Sequence, residues 1–299
     1  MFIKSNRIII VSLMVLFILL VGCKNSNNNL PPENASETEN NSNEQKENTD
    51  PKAKTDNNEP KVVDKDSSNE EEMEQQSPDT PQNSDWVLEE VYFNKVEEQD
   101  GLLVILNPEN LLALVNKEHS LPSSYIPEGM VAPNVRFSFG DEDVPKRYIR
   151  KEAAIALEEM FAKADSEGIY LFAVSGYRAY ETQAYIFDSQ VRKVGEEMAM
   201  HAVALPGQSE HQTGLAMDVT SRSAGFLLEE QFGDTPEGKW IQENAHLFGY
   251  IVRYQKGKEE ITGYQYEPWH LRYVGKEIAK VIYENDITLE EYFEKVKGI

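Results

Sequence analysis

The chain has five histidines in 299 residues, and two of them sit in short stretches with a carboxylate close by. The first stretch is Ser209-Glu210-His211-Gln212-Thr213-Gly214-Leu215-Ala216-Met217-Asp218, and the second is Glu267-Pro268-Trp269-His270. Two imidazoles and one carboxylate form the ligand set of a catalytic zinc that keeps one coordination position open. A further carboxylate, not needed as a ligand, is what metal-assisted hydrolysis requires as a general base. These residue types in this grouping point to a zinc hydrolase.

The spacing says how the groups could meet. Leu215, Met217 and Val219 alternate with Ala216, Asp218 and Thr220, which predicts a half-buried strand with Asp218 on the small, polar face. The Thr213-Gly214 turn just before it can fold His211 back over that strand. Taken alone, an Asp218 that caps a turn and a His211 bonded in the core fit equally well; the second stretch favours a site. Glu267 and His270 are three apart, which on a regular strand would put them on opposite faces. Pro268 breaks the ladder and predicts a bulge that re-aims both, with Trp269 walling the pocket. By itself that tetrapeptide also reads as an edge strand with a surface Glu. Ser175-Gly176-Tyr177-Arg178 follows an apolar run. Gly176 lets the chain turn there and approach a ligand closely. At a strand end, the Arg178 guanidinium can hold a carboxylate or an oxyanion. His119, His201 and His246 lack comparable neighbours and read as surface or core histidines.

The elements that must carry these groups are legible in outline. Val87–Tyr92 and Leu102–Leu106 look like a strand pair around an acidic turn with Gly101. Leu111–Asn116 is apolar, and a loop punctuated by Pro122, Pro127 and Pro133 follows. Ile149, Ala153, Ala156, Leu157, Met160, Phe161 and Ala164 recur at helical spacing, with Gly168 as a stop. Ile169–Val174 reads as a buried strand and Tyr180 to about Met200 as a helix. Glu237–Phe248 is predicted helical between Pro236 and Gly249, Tyr250–Tyr254 a strand, and Tyr264–Val274 a strand interrupted at Pro268. Lys276–Asn285 is predicted helical, and Thr288 with Glu291 makes a capping box for a last helix. Without a βαβ rhythm or a Gly-rich phosphate loop, the class expected is α+β with a mostly antiparallel sheet.

Composition divides the chain. Lys4 and Arg7 precede an apolar run from Ile8 to Val21 that is short for a membrane span. It ends in Leu20-Val21-Gly22-Cys23, which resembles a bacterial lipobox. Residues 1–22 are therefore expected to be a lipoprotein signal peptide, with Cys23 the lipidated first residue. Cys23 is the only cysteine, so the fold has no disulfide and a metal has no thiolate ligand. Residues 23–85 are acidic and polar, and are expected to be a disordered tether with an r.m.s. span of about 40–45 Å. Residues 86–299 are long enough for one domain with a real core. A formal charge of −23 on an exported chain argues against nucleic acid as a partner, and leaves the lipid anchor as the membrane contact.

Ser175–Arg178, Ser209–Asp218 and Glu267–His270 together resemble the three motifs of the VanY-type D-alanyl-D-alanine carboxypeptidases. These lie within the zinc peptidases that include VanX dipeptidases and L,D-carboxypeptidases of the LdcB type. Leu114-Val115-Asn116-Lys117 and Ile261-Thr262-Gly263-Tyr264 are similar to that family as well. The resemblance covers nearly all of residues 86–299 and none of the tether. It implies an antiparallel sheet flanked by helices, as in zinc D,D-peptidases and hedgehog-type folds. It further implies Zn2+ held by His211, Asp218 and His270, with Glu267 as general base. Arg178 would polarise the scissile carbonyl or bind substrate, and Gln183 and Ser209 would line the substrate site. The implied substrates are peptidoglycan stem peptides, met outside the cell by a lipid-anchored enzyme facing the wall. The expected activity is D,D-carboxypeptidase removal of the terminal D-Ala; the alternative is L,D-carboxypeptidase action on tetrapeptide stems. A non-catalytic metal- or wall-binding lipoprotein is a third class, and an intact Glu267 argues against it. The sequence is silent on oligomeric state.

Overall fold

The computed structural model describes residues 86–299. The expected signal peptide, Cys23 and the tether lie outside the described residues. Among the described residues no helix is long and apolar enough to cross a membrane.

Four antiparallel strands make the sheet that carries the site. Their spatial order is Leu171–Ser175, Ala216–Ser221, Glu267–Tyr273, Tyr250–Tyr254. Alternation sorts the two faces. Met217, Val219 and Leu271 enter the main core, while Asp218 and His270 point the other way. The core side is covered by the helix Lys151–Ser166, which contributes Ala153, Leu157, Met160 and Phe161, and by Pro236–Asn244, which contributes Trp240 and Ile241. The first helix starts at Lys151 rather than Ile149 because Ile149–Arg150 pairs with Met130–Val131. Gly168, at φ +77°, follows its end as expected. All six residues of Ala216–Ser221 are buried, not half of them. This strand is flanked by partners on both sides, and its polar face is roofed by the site.

A second core lies under the C-terminal helices Lys276–Glu284 and Leu289–Lys295. The capping box forms: Thr288 Oγ1 accepts from Glu291 N at 3.1 Å, and Glu291 Oε2 accepts from Thr288 N at 2.8 Å.

Two expectations are corrected. Val87–Leu88 does not pair with the 102–106 segment; it lies parallel to Lys297–Gly298, and the chain then turns through Glu90–Tyr92. The hairpin is instead Val96–Gln99 with Leu102–Ile105, closed by Asp100 and Gly101 at φ +52° and +82°. An Asp-Gly pair with both residues at positive φ is the favoured two-residue hairpin turn. The long helix expected from Tyr180 is two, Tyr180–Val194 and Glu196–Ala202, broken at Gly195 with φ +84°.

Candidate active site

His211 lies in a single 3-10 turn, Glu210–Thr213, ended by Gly214 in the left-handed region at φ +67°. Thr213 Oγ1 donates to the Glu210 carbonyl and accepts from Leu215 N, which tightens the reversal into the strand. The first two motifs then tie each other down. His211 Nδ1 donates to the Gly176 carbonyl at 2.8 Å, and Arg178 N donates to the His211 carbonyl at 3.1 Å. Gly176 is required for space here. A Cβ at that position would lie 2.6 Å from the Tyr148 carbonyl oxygen and 2.7 Å from Ile149 Cγ2. Its close approach is to the fold's own backbone, rather than to a ligand as the sequence suggested.

Asp218 and His270 are register partners on neighbouring strands. His270 Nδ1 is 3.2 Å from Asp218 Oδ1, and His211 Nε2 is 3.4 Å from Asp218 Oδ2. The bulge expected at Pro268 is present as a register shift between Glu267 and Leu271 against Tyr250–Tyr254. It brings Glu267 Oε2 to 4.0 Å from His270 Nδ1, on the site face. Arg178 donates to Gln183 Oε1 at 2.9 Å and to Ser175 Oγ at 3.2 Å, and its Nη2 is 3.9 Å from Asp218 Oδ2. Gln183 is anchored in turn by donating to the Ala204 carbonyl at 2.7 Å.

The donor set fits zinc. One ligand atom each from His211, Asp218 and His270 lies within 4.8 Å of the others, and all three residues are buried. A tetrahedral site with bonds of roughly 2.0–2.2 Å has ligand–ligand edges of about 3.3–3.6 Å. The 3.4 Å from His211 Nε2 to Asp218 Oδ2 matches that scale, and His270 Nδ1 lies 3.2 Å from the other oxygen of the same carboxylate. Burial pushes the Asp218 carboxyl up, but His211 and His270 outweigh it and hold the group well below the usual carboxylate range. Burial lowers His211. Burial also disfavours charged His270, yet hydrogen bonds to Asp218 and Glu210 push it up to about 9. Metal coordination displaces the proton on the nitrogen it uses. Burial pushes Glu267 up to about 7, with Asp218 reinforcing the shift and His270 and Arg178 opposing it.

Arg178, Gln183, Ser209, His211, Asp218, Glu267 and His270, all singled out in the sequence, line one cavity of about 240 Å³. A cavity of about 260 Å³ near His246, Tyr283 and Asp286 gathers no such donor set. His246 stacks on Tyr283, His119 contacts Asn116, and His201 is exposed. Sequence reasoning missed Glu210, Arg253 and Arg272, which are fully buried beside His270. A signal was available, because Arg253 interrupts the otherwise apolar and aromatic Tyr250–Tyr254, and Arg272 lies between Leu271 and Tyr273, so both must find partners in the core. The hydroxyl of Tyr264, another cavity residue, is buried without a hydrogen-bond partner among the described residues.

The family model for VanY, D-alanyl-D-alanine carboxypeptidase, matches residues 146–276, a span that contains all seven of those residues. YodJ of Bacillus subtilis (strain 168) is 62% identical over 218 residues, 73% of this chain and 80% of YodJ. The chain belongs to the VanY family. Two solved structures extend the comparison of this VanY-family member. The LdcB LD-carboxypeptidase superposes with a TM-score of 0.70 at 61% identity, covering 72% of this chain and all of that one. The vancomycin-resistance D,D-pentapeptidase VanY, in complex with Zn(II), superposes with a TM-score of 0.51 at 34% identity, covering 61% of this chain and 98% of that one. This VanY-family protein is a zinc carboxypeptidase with an α+β fold.

Proposed function

We propose that the protein removes the terminal D-Ala from peptidoglycan stem peptides, and that its preferred bond is the L,D bond of tetrapeptide stems. The observation that carries the L,D preference is the likeness to LdcB, at 61% identity over the whole of that chain. The D,D bond of pentapeptide stems is the second reading, favoured by the VanY family match.

His211 Nε2, Asp218 and His270 Nδ1 would hold the metal. Bound there, zinc supplies a Lewis acid for the scissile carbonyl and lowers the pKa of water toward neutrality. Glu267 takes a proton from the attacking water and later returns it to the leaving amine. Its carboxyl, pushed up to about 7, is matched to proton exchange near neutral pH. Arg178, fixed by Gln183 and Ser175, faces the substrate with a guanidinium that can pair with the terminal carboxylate or with the oxyanion beside it. Ser209 orients the peptide without adding charge, and Gln183, on the same cavity wall, acts through the Arg178 guanidinium that it holds. Residues 1–22 act as a lipoprotein signal, Cys23 carries the lipid, and residues 23–85 tether the catalytic domain, 86–299, outside the cell near the wall.

The test is mass spectrometry of defined tri-, tetra- and pentapeptide stems after incubation with the zinc-loaded chain. Release of D-Ala chiefly from the tetrapeptide is expected. Release from the pentapeptide alone would establish the D,D reading, and no release from any stem would sink both.

A further inference from the structure

Glu210 stands next to His211 in the chain and borders the same cavity, yet its carboxylate is engaged in a buried ionic cluster. It is 1% exposed, and its two oxygens do different things. Oε2 is 3.2 Å from His270 Nε2. Oε1 accepts from Arg253 Nε at 2.8 Å and from Arg272 Nη1 at 2.7 Å. Neither arginine is free to move. Arg272 Nη2 donates to the carbonyls of Leu111 at 3.1 Å and Ala113 at 2.9 Å. Arg253 forms a paired bridge to Glu290, at 2.8 and 2.6 Å. The cluster holds two carboxylates and two guanidiniums, so its formal charges cancel. That balance is what lets buried ions remain charged.

An ionised carboxylate only accepts hydrogen bonds, so the His270 nitrogen that meets Glu210 must carry the hydrogen. Nδ1 lies 3.2 Å from Asp218 Oδ1, and with a metal bound it is the nitrogen that gives up its proton and presents the lone pair. His211 is arranged the opposite way. Its Nδ1 meets the Gly176 carbonyl, which leaves Nε2 for Asp218. A ring nitrogen that binds a metal has its tautomer set by the partner of the other nitrogen.

We propose that Glu210 is a positioning residue that fixes His270 as the Nε2–H tautomer and aims its Nδ1 at the metal, with Arg253, Arg272 and Glu290 as the frame that holds Glu210 still. The two histidines of the site are therefore opposite tautomers, one set by a backbone carbonyl and one by a buried carboxylate. This rests on the reading of His270 as a metal ligand.

The experiment is long-range ¹H–¹⁵N correlation NMR of the full-length, zinc-loaded chain labelled at histidine, with His270→Ala and His211→Ala used to assign the signals. The expected result is metal at Nδ1 with hydrogen at Nε2 for His270, and the reverse for His211. Metal at Nε2 of His270 overturns the proposal while leaving its role as a ligand intact. Unchanged zinc affinity in His270→Ala would instead overturn the ligand reading itself. Glu210→Gln removes the charge but keeps an acceptor, and should weaken zinc binding by about 10–100-fold. An unaltered zinc affinity and His270 spectrum in Glu210→Gln would also overturn the proposal. If that variant does not fold, the wild-type spectrum still decides.

Discussion

Asp218 and His270 occupy the same register position of adjacent antiparallel strands, with His270 Nδ1 3.2 Å from Asp218 Oδ1. Two of the three candidate ligands are thus held together by the hydrogen-bond ladder of the sheet, and the third, His211, is hung from the Gly176 carbonyl. Removing one imidazole leaves the other donors in place, but a site with two donors is a poor zinc site. His270→Ala and His211→Ala should each purify with little zinc where the wild type holds it stoichiometrically, as read by elemental analysis after dialysis. Full zinc occupancy in either variant would count against that residue as a ligand.

The reasons this site could be read from the chain, and the reasons part of it could not, are physical. His211, Asp218 and the Glu267–His270 pair sit within short local patterns, where a turn, an alternating strand and a Pro-induced bulge each follow from a few neighbouring residues. The helix at Lys151–Ser166 and the capping box at Thr288 are local in the same way. The partners of Glu210 are not local, because Arg253 and Arg272 come from two other strands and reach it only when the sheet has formed. The pairing of Val87–Leu88 with the C-terminal Lys297–Gly298 is equally long-range, and local pattern favours a nearby strand instead. The Gly195 break is masked in the sequence because the helical pattern resumes directly beyond it.

Glu267 is partly buried, sits 4.0 Å from His270 Nδ1, and its carboxylate makes no hydrogen bond among the described residues. Glu267→Gln keeps its shape and loses the ability to accept a proton. Zinc content should stay near that of the wild type, while peptide hydrolysis falls by about 10²–10⁴, the usual contribution of a general base. Loss of zinc along with activity would make Glu267 a ligand or the support of one.

Gly176 has no room for a methyl group, since a Cβ would press on the Tyr148 carbonyl, Ile149 and the Met217 methyl. The same residue supplies the carbonyl that orients His211. Gly176→Ala should therefore cost about 1–3 kcal/mol of stability, the range for overpacking, and should weaken zinc binding as well. Chemical denaturation alongside a zinc competition titration measures both. A stable variant with unchanged zinc affinity would show that the strap carrying Gly176 can shift freely.

Acid should weaken the fold through Glu290. Burial pushes its carboxyl up, but Arg253 and the bonds it donates pull the group lower overall. A folded-state pKa below the unfolded value of about 4.3 means that the unfolded chain binds the proton more readily. The stabilisation is thus complete above the ordinary carboxylate range, and is lost as pH falls through that range toward the folded value. Glu290→Gln should cost about 3–5 kcal/mol at pH 7, because it leaves one face of the buried Arg253 without its charge partner. The gap between variant and wild type should narrow in acid. Urea midpoints at pH 7 and below pH 4 test this, and an equal gap at both would rule out the Arg253–Glu290 pair as a source of acid sensitivity.

A carboxypeptidase must distinguish a free C-terminus from an internal peptide bond, and that requires a cation facing the terminal carboxylate. Arg178 lines the cavity, and its guanidinium is oriented by Gln183 and Ser175. Gln183 is in turn pinned to the Ala204 carbonyl, so the guanidinium plane is set by a chain of hydrogen bonds rather than by one contact. Lysine would keep the charge but could not make both of those bonds and still present a planar fork to the substrate. Arg178→Ala and Arg178→Lys should both lower kcat/KM by an amount equivalent to at least about 2–3 kcal/mol, the scale of one lost oxyanion donor. Because Arg178 Nη2 approaches Asp218 only to 3.9 Å, zinc content should change little in either variant. C-terminally amidated stems should be poor substrates for the wild type. Equal cleavage of amidated and free-acid stems would show that the terminal carboxylate is not read, and the role assigned to Arg178 would fall with it.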